Sequence, residues 1–152
     1  MFFFFSSCKK DSTLFELRSP DQTGISFNNE IIESDSFNIL TDEYIFNGGG
    51  VAIADFDQNG LPDLFFTGNQ VSNRLYLNEG EFKFKDISES AGIMAADKWC
   101  TGSVIVDINN DGWPDIYVAA AMKKRSRRAE QPFVCQSGQR CFRSDYLQRN
   151  GR

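Results

Sequence analysis

The nine residues Asp55-Phe56-Asp57-Gln58-Asn59-Gly60-Leu61-Pro62-Asp63 return as Asp107-Ile108-Asn109-Asn110-Asp111-Gly112-Trp113-Pro114-Asp115. Two copies of D-x-[DN]-x-[DN]-G-x-P-D thus begin 52 residues apart (107 less 55). A period of that length calls for an architecture of like units, each carrying the same loop. In each copy, oxygen-bearing side chains stand at positions 1, 3, 5 and 9, and a backbone carbonyl is available at position 7. That set matches the all-oxygen shell preferred by Ca²⁺, and Gly60 and Gly112 supply the sharp turn. The candidate ligands of the first loop are Asp55, Asp57, Asn59, the carbonyl of Leu61, and Asp63. Those of the second are Asp107, Asn109, Asp111, the carbonyl of Trp113, and Asp115. Each loop brings three carboxylates to one ion.

An EF-hand loop shares this spacing but requires a bidentate Glu at position 12 and helices on both sides. Position 12 is Phe66 in one copy and Val118 in the other. The flanks are Val51-Ala52-Ile53-Ala54 and Leu64-Phe65-Phe66-Thr67 around the first loop, and Ser103-Val104-Ile105-Val106 and Ile116-Tyr117-Val118-Ala119 around the second. Short β-branched and aromatic runs of this kind predict strands, so each loop joins strand to strand. Asp and Asn also close ordinary tight turns on their own backbone. The same offsets occurring twice, between strands of the same kind, weigh against a turn alone.

The repeat extends beyond the loops. Phe46-Asn47-Gly48-Gly49-Gly50-Val51-Ala52 leads into the first, and Trp99-Cys100-Thr101-Gly102-Ser103-Val104 into the second. After the first loop, Asn73–Gly80 and Phe82–Ile87 predict two strands joined at a glycine turn, with Phe82 and Phe84 on one face and Lys83 and Lys85 on the other. Short strands at this period suggest propeller blades or another stacked β array.

The run G-G-G-V-A-I-A-D-F-D-Q-N-G-L-P-D-L-F-F-T-G-N from Gly48 resembles the FG-GAP (VCBS) repeats of integrin-like β-propellers, and more closely their ASPIC/UnbV, cartilage-acidic-protein-like branch. So do N-R-L-Y-L-N-E-G from Asn73, F-K-D-I-S-E-S-A-G-I from Phe84, and W-C-T-G-S-V-I-V-D-I-N-N-D-G-W-P-D-I-Y-V from Trp99. The likeness covers about residues 44–120. It implies an all-β fold, a seven- or eight-bladed propeller with Ca²⁺ in a loop between blade strands, and export from the cell. Asn109 stands where Asp is more common at position 3, which lowers the charge there and weakens the second site.

A propeller of at least four blades of this period needs roughly 200 residues to close, and the chain has 152. The expectation is a fragment of about two blades. Residues 11–43 form an N-terminal segment able to contribute to a closing blade, 44–98 the first blade, and 99–122 the start of the second. Residues 123–152 form a basic tail with nine Lys and Arg against two acids, while the remainder is strongly acidic. The first blade's N-x-L-Y-x-N-x-G strand has no counterpart in Gln131–Arg152. Either the tail binds an anionic surface or nucleic acid, or the reading frame is shifted. Back-translated and moved one nucleotide, the segment beginning at Glu130 is compatible with N-L-L-Y-V-N-Q-G, the missing strand, which favours the shift.

At the other end, Phe2–Phe5 precede Ser6-Ser7-Cys8-Lys9-Lys10. The apolar run is short for a signal sequence. Small residues before a Cys and lysines after it nevertheless resemble a bacterial lipoprotein cleavage site, with residues 1–10 a truncated signal and anchor region and Cys8 lipidated. The expected location is therefore the outer membrane or cell surface, with membrane contact through that lipid. Cys100 is expected as a small buried residue, and Cys135 and Cys141 as products of the shifted frame or a disulfide pair.

The chain has no His, the commonest general base, and no nucleophile elbow or phosphate loop. Paired carboxylates can cleave glycosides, but every clustered Asp here has a role as ligand. The expectation is a non-catalytic, Ca²⁺-binding propeller module that binds a protein or glycan. The alternatives are an enzyme on a propeller scaffold and nucleic-acid binding through the tail. In the tail, Phe133, Phe142 and Tyr146 form no recognition motif, so nucleic acid is not the expected partner.

Overall fold

The runs of Val, Ile, Phe and Tyr beside each loop form strands, and the strands build two antiparallel sheets. The computed structural model describes residues 14–95, 98–121, 133–135 and 142–143. A single helical turn, α1 (Pro20–Thr23), precedes eight strands: β1 (Val51–Ala54), β2 (Asp63–Phe66), β3 (Arg74–Gly80), β4 (Lys83–Asp86), β5 (Trp99–Val106), β6 (Asp115–Ala121), β7 (Phe133–Cys135) and β8 (Phe142–Arg143). The sheet orders are β1-β2-β3-β4 and β5-β6-β7-β8. Sequence neighbours pair throughout, as in the blades of a propeller, and the all-β expectation is borne out.

Register follows the repeat. Ala54 pairs with Asp63 across the first loop, and Val106 with Asp115 across the second. Leu64 then pairs with Tyr76, and Ile116 with Cys135. The backbone of Phe133–Cys135 and Phe142–Arg143 thus supplies a third and fourth strand to the second sheet, where the sequence offered no recognisable counterpart. Residues 1–13, 122–132, 136–141 and 144–152 lie outside the described residues, and with them the Cys8 anchor and most of the basic tail.

Two sheets that each expose an apolar face are stable only when those faces meet. Ala52, Phe65 and Leu75 of the first sheet close on Cys100, Ile116 and Val118 of the second, with Phe56 and Ile93 completing one core. Phe65, Cys100 and Val118 are fully buried. Burying one large side chain of this kind contributes about 1.5–3 kcal/mol. The innermost strands, β1 and β5, run against each other. A Cβ on Gly50 would lie 2.8 Å from the Gly102 Cα and 2.9 Å from the Ser103 nitrogen. Only glycine permits that backbone approach.

Among the described residues, the N-terminal segment adds no strand to either sheet, and its one bridge joins Ser34 to Phe37. It is held instead by side chains. Asn29 donates to Asn69 Oδ1 (2.6 Å) and accepts from the Asn69 N–H (2.9 Å), and the Gln70 amide exchanges two bonds with the Ile32 backbone. Phe27 stacks on Phe66 at 5.1 Å between ring centroids. Trp99 meets the ring of Phe37 edge-on at 5.5 Å. Phe82 departs from the strand expected of it. With Glu81 it forms the two-residue turn between β3 and β4, at φ 59° and 52°, and β4 begins at Lys83. Positive φ at both central residues matches the right-handed strand twist, although Asn-Gly is the usual solution.

Candidate metal centre

Each loop leaves the last residue of one strand and returns into the next, so the position-1 and position-9 aspartates are set by the ladder itself. Asp55 follows β1 and Asp63 opens β2; Asp107 follows β5 and Asp115 opens β6. The intervening residues fold on their own side chains. In the first loop Asp55 Oδ1 accepts from the Asn59 N–H (3.0 Å) and Oδ2 from the Gly60 N–H (2.8 Å). Asp57 Oδ1 also accepts from the Asn59 N–H, and Asn59 Oδ1 accepts from the Leu61 N–H at 2.7 Å. The second loop repeats all four bonds: Asp107 accepts from the Asp111 and Gly112 N–H groups, Asn109 from the Asp111 N–H, and Asp111 from the Trp113 N–H. Residue 4 of each loop, Gln58 or Asn110, takes φ near +58°, and the glycines take +87° and +85°.

These bonds are what tight Asx turns make. They also aim the carboxylates inward, and a carboxylate oxygen that accepts one bond keeps a lone pair for another partner. Asp55, Asp57 and Asp63 each offer a carboxylate oxygen, all within 4.8 Å of one another, the one such acidic cluster among the described residues. Asp63 is fully buried, with Oδ2 accepting from the Phe56 N–H (2.8 Å) and Oδ1 from the Asn78 N–H (2.7 Å). Burial raises its pKa above the ordinary carboxylate value. The two N–H groups oppose that rise, and the charges of Asp57 and Asp55 add to it. A divalent cation would relieve this strain by replacing repulsion with attraction.

The second loop differs at two points. Its acidic residues stand at positions 1, 5 and 9, and the position-3/5 pair is inverted. Asn59 donates to Asp57 Oδ2 at 3.0 Å in the first loop, whereas Asn109 donates to Asp111 Oδ2 at 2.7 Å in the second. Each loop therefore keeps one amide and one carboxylate there, in opposite order. Asp115, only 1% exposed, accepts from the Ile108 N–H through Oδ2 (3.0 Å), but its buried Oδ1 has no hydrogen-bond partner among the described residues. A carboxylate oxygen buried without a donor is costly, and a cation is one partner that satisfies it. The donor set of both loops fits a hard, oxygen-seeking ion.

Leu61 is half-buried and Trp113 exposed, each held by its N–H to the loop as above. Cys100 is fully buried in the core, as expected. Nothing in the repeat pattern signals that the loops touch. Gln58 Nε2 donates to the Gly112 carbonyl at 3.0 Å, tying the first loop to the second. Nor does the pattern single out Asn69 and Asn73. Buried Asn69 donates to the Cys100 carbonyl at 3.0 Å, and buried Asn73 spans the Gly68 N–H and the Ile93 carbonyl. Asn73 opens the N-R-L-Y-L-N run, so its place in the repeat was the only available signal.

No helix among the described residues is long and apolar enough to cross a membrane. A family model for the FG-GAP-like repeat matches residues 55–118, from the first candidate ligand of the first loop into β6. No curated protein and no solved structure shows a significant match to the chain. The narrower ASPIC/UnbV resemblance finds no support in these comparisons. Residues 55–118 carry an FG-GAP-like repeat, which supports the FG-GAP/VCBS repeat family for this chain.

Proposed function

We propose that the chain is a non-catalytic, Ca²⁺-stabilised propeller module of the ASPIC/UnbV branch, carried on an exported surface lipoprotein and binding a protein or glycan. The observation that carries the Ca²⁺ reading is the convergence of Asp55, Asp57 and Asp63 in a loop whose pattern recurs around Asp107, Asn109, Asp111 and Asp115. Asn59 and the Leu61 carbonyl complete the first set, and the Trp113 carbonyl the second. The ion's chemistry would be structural, neutralising carboxylates at the point where β1 turns into β2 and β5 into β6. Asp63 also receives the Asn78 N–H of β3, so an ion there would brace three strands.

Without a bidentate Glu the affinity is expected on the order of 10⁻⁴ to 10⁻³ M, the extracellular range. Ligand-binding loops would come partly from neighbouring blades. The clustered aspartates have this structural role, and no His is present to act as a base, which supports a non-catalytic module. Surface anchoring rests on Ser6-Ser7-Cys8-Lys9-Lys10. Incorporation of labelled fatty acid by bacterial cells expressing the gene, lost in Cys8→Ala, tests it; no incorporation removes the anchor.

Calorimetric titration of the full chain with Ca²⁺ tests the metal reading, beside an Asp57→Ala/Asp111→Ala variant. Two saturable events in the wild type and none in the variant are expected. A folded wild type that takes up no Ca²⁺ returns both loops to the status of plain turns.

A further inference from the structure

An Asn-Gly step is where a chain most readily turns an amide into a carboxylate, because glycine has no side chain to keep its nitrogen from the asparagine Cγ. The chain has three: Asn47-Gly48, Asn59-Gly60 and Asn150-Gly151, the last outside the described residues. Exposure does not separate the first two. Both asparagines are exposed, a Cβ on either glycine would meet nothing within 4 Å, and the glycines take φ 80° and 87°. What differs is how the reacting atoms are held. The Gly60 N–H donates to Asp55 Oδ2 at 2.8 Å. Asn59 Nδ2 donates to Asp57 Oδ2 at 3.0 Å, and Asn59 Oδ1 accepts from the Leu61 N–H at 2.7 Å. At the other step the Asn47 N–H donates to the Tyr44 carbonyl at 3.1 Å, but among the described residues neither the Asn47 side chain nor the Gly48 N–H has a partner.

We propose that Asn47 is a site of spontaneous deamidation, and that the Asx bonds of the first loop protect Asn59 from the same reaction. The Gly48 nitrogen, giving up its proton to hydroxide, attacks Asn47 Cγ. The bond from Cγ to the side-chain nitrogen breaks, ammonia leaves, and a five-membered imide closes. Water then opens the ring: at Cγ it leaves aspartate, and at the main-chain carbonyl it leaves isoaspartate, whose chain runs through the side chain. One water is consumed and one ammonia released, with no change of oxidation state. At Asn59 the side-chain amide is fixed at both its oxygen and its nitrogen, and the proton to be lost lies on a carboxylate whose charge disfavours the amide anion. The consequences also differ. At Asn47 either product adds a negative charge, and isoaspartate adds a main-chain carbon, two residues ahead of Gly49, whose Cβ position lies 2.1 Å from the Thr67 carbonyl oxygen. At Asn59 the reaction would replace a candidate ligand, so the turn bonds preserve the donor set. None of this requires a cation to be bound.

Peptide mapping by mass spectrometry tests this on the full chain, incubated in mildly alkaline buffer with a chelator, folded and in parallel in concentrated urea. In urea, Asn47 and Asn59 should deamidate at similar rates, because only the dipeptide then matters. In the folded chain Asn47 should keep its urea rate, while Asn59 should fall at least about tenfold below its own, the factor for opening one hydrogen bond to a charged group. An isoaspartate-specific methyltransferase should label the peptide containing Asn47, and Asn47→Gln should abolish that label. Asp55→Ala frees the Gly60 N–H and should raise the rate at Asn59 without changing that at Asn47, with circular dichroism to confirm the fold. The ratio of folded to urea rates in the wild type decides the matter even where that variant does not fold. Equal rates at the two asparagines in the folded chain, protection of Asn47, or an unchanged rate at Asn59 in folded Asp55→Ala would each overturn the proposal.

Discussion

The two nine-residue loops make the same backbone turn with the same four Asx bonds, yet they finish differently. In the first, both oxygens of the position-9 aspartate are held, by the Phe56 and Asn78 N–H groups; in the second, Asp115 Oδ1 has no partner among the described residues. In the first loop a donor comes from one strand further on, where Asn78 sits near the end of β3. The equivalent position beside the second loop lies outside the described residues. A loop of this kind is therefore completed by its third strand as much as by its own residues.

The largest effect is expected where the two sheets differ in surroundings rather than chemistry. Gly50→Val drives a side chain into the Gly102 backbone, and nothing there is the yielding end of a flexible group. It should cost about 3 kcal/mol or more, read as a lowered urea midpoint. Gly102→Val should change the stability of the single chain by less than about 0.5 kcal/mol. Equal losses at the two positions would mean that the close approach of β1 and β5 is not what holds the sheets together.

Next comes the position-9 pair in Ca²⁺-free buffer. Asp63→Ala strands one buried and one part-buried N–H group, each worth about 1–3 kcal/mol when unsatisfied, so a loss of about 3 kcal/mol is expected. Asp115→Ala strands one N–H but also removes the unpartnered oxygen, and its loss should be about 1 kcal/mol or less. Denaturation of both variants checks the ratio. A larger loss at Asp115 would show that Oδ1 has a partner after all.

How much of this was legible in the sequence follows from what each feature depends on. The loops and the strands β1, β2, β5 and β6 were readable because their signals are local: apolar alternation, an Asx-Gly turn, and the same pattern twice. Phe82 misled because alternation with Phe84 looks the same whether the first residue belongs to the strand or to its turn. The strand at Phe133–Cys135 was invisible because three residues without the first blade's Asn and Tyr carry too little pattern, and pairing with β6 determines it. The Gly50 approach, the Gln58 link and the buried Asn69 involve partners that only the folded chain brings together. Of the candidate metal site, the donor types and their order were legible. The inversion at positions 3 and 5 was visible as letters, but its consequence, an acidic cluster in one loop only, was not.

That inversion supplies a smaller effect. Asn109→Asp gives the second loop carboxylates at positions 1, 3, 5 and 9, and removes the amide that donates to Asp111 Oδ2. Ligand charge sets affinity in such loops, so Ca²⁺ should bind there about tenfold more tightly, roughly 1.4 kcal/mol. The Ca²⁺-free chain should be slightly less stable, because the new charge is repelled by Asp107 and Asp111. Titration of this variant on an Asp57→Ala background isolates the second loop. Unchanged affinity would mean that position 3 does not face the ion.

The smallest effect separates the fourth loop residues, which share φ near +58° but not their contacts. Glycine relieves left-handed strain at either position, and the relief is greater for Gln58, since Asn tolerates this region better than Gln. Gln58→Gly also loses the bond to the Gly112 carbonyl, an exposed bond worth about 0.5–1 kcal/mol. The two contributions oppose each other at position 58 and should nearly cancel. Asn110→Gly should stabilise by up to about 0.5 kcal/mol. Paired denaturation curves resolve the sign if not the size. A clear gain for Gln58→Gly would show that the link between the loops contributes nothing, leaving Gly50 and the apolar core to hold the two sheets in place.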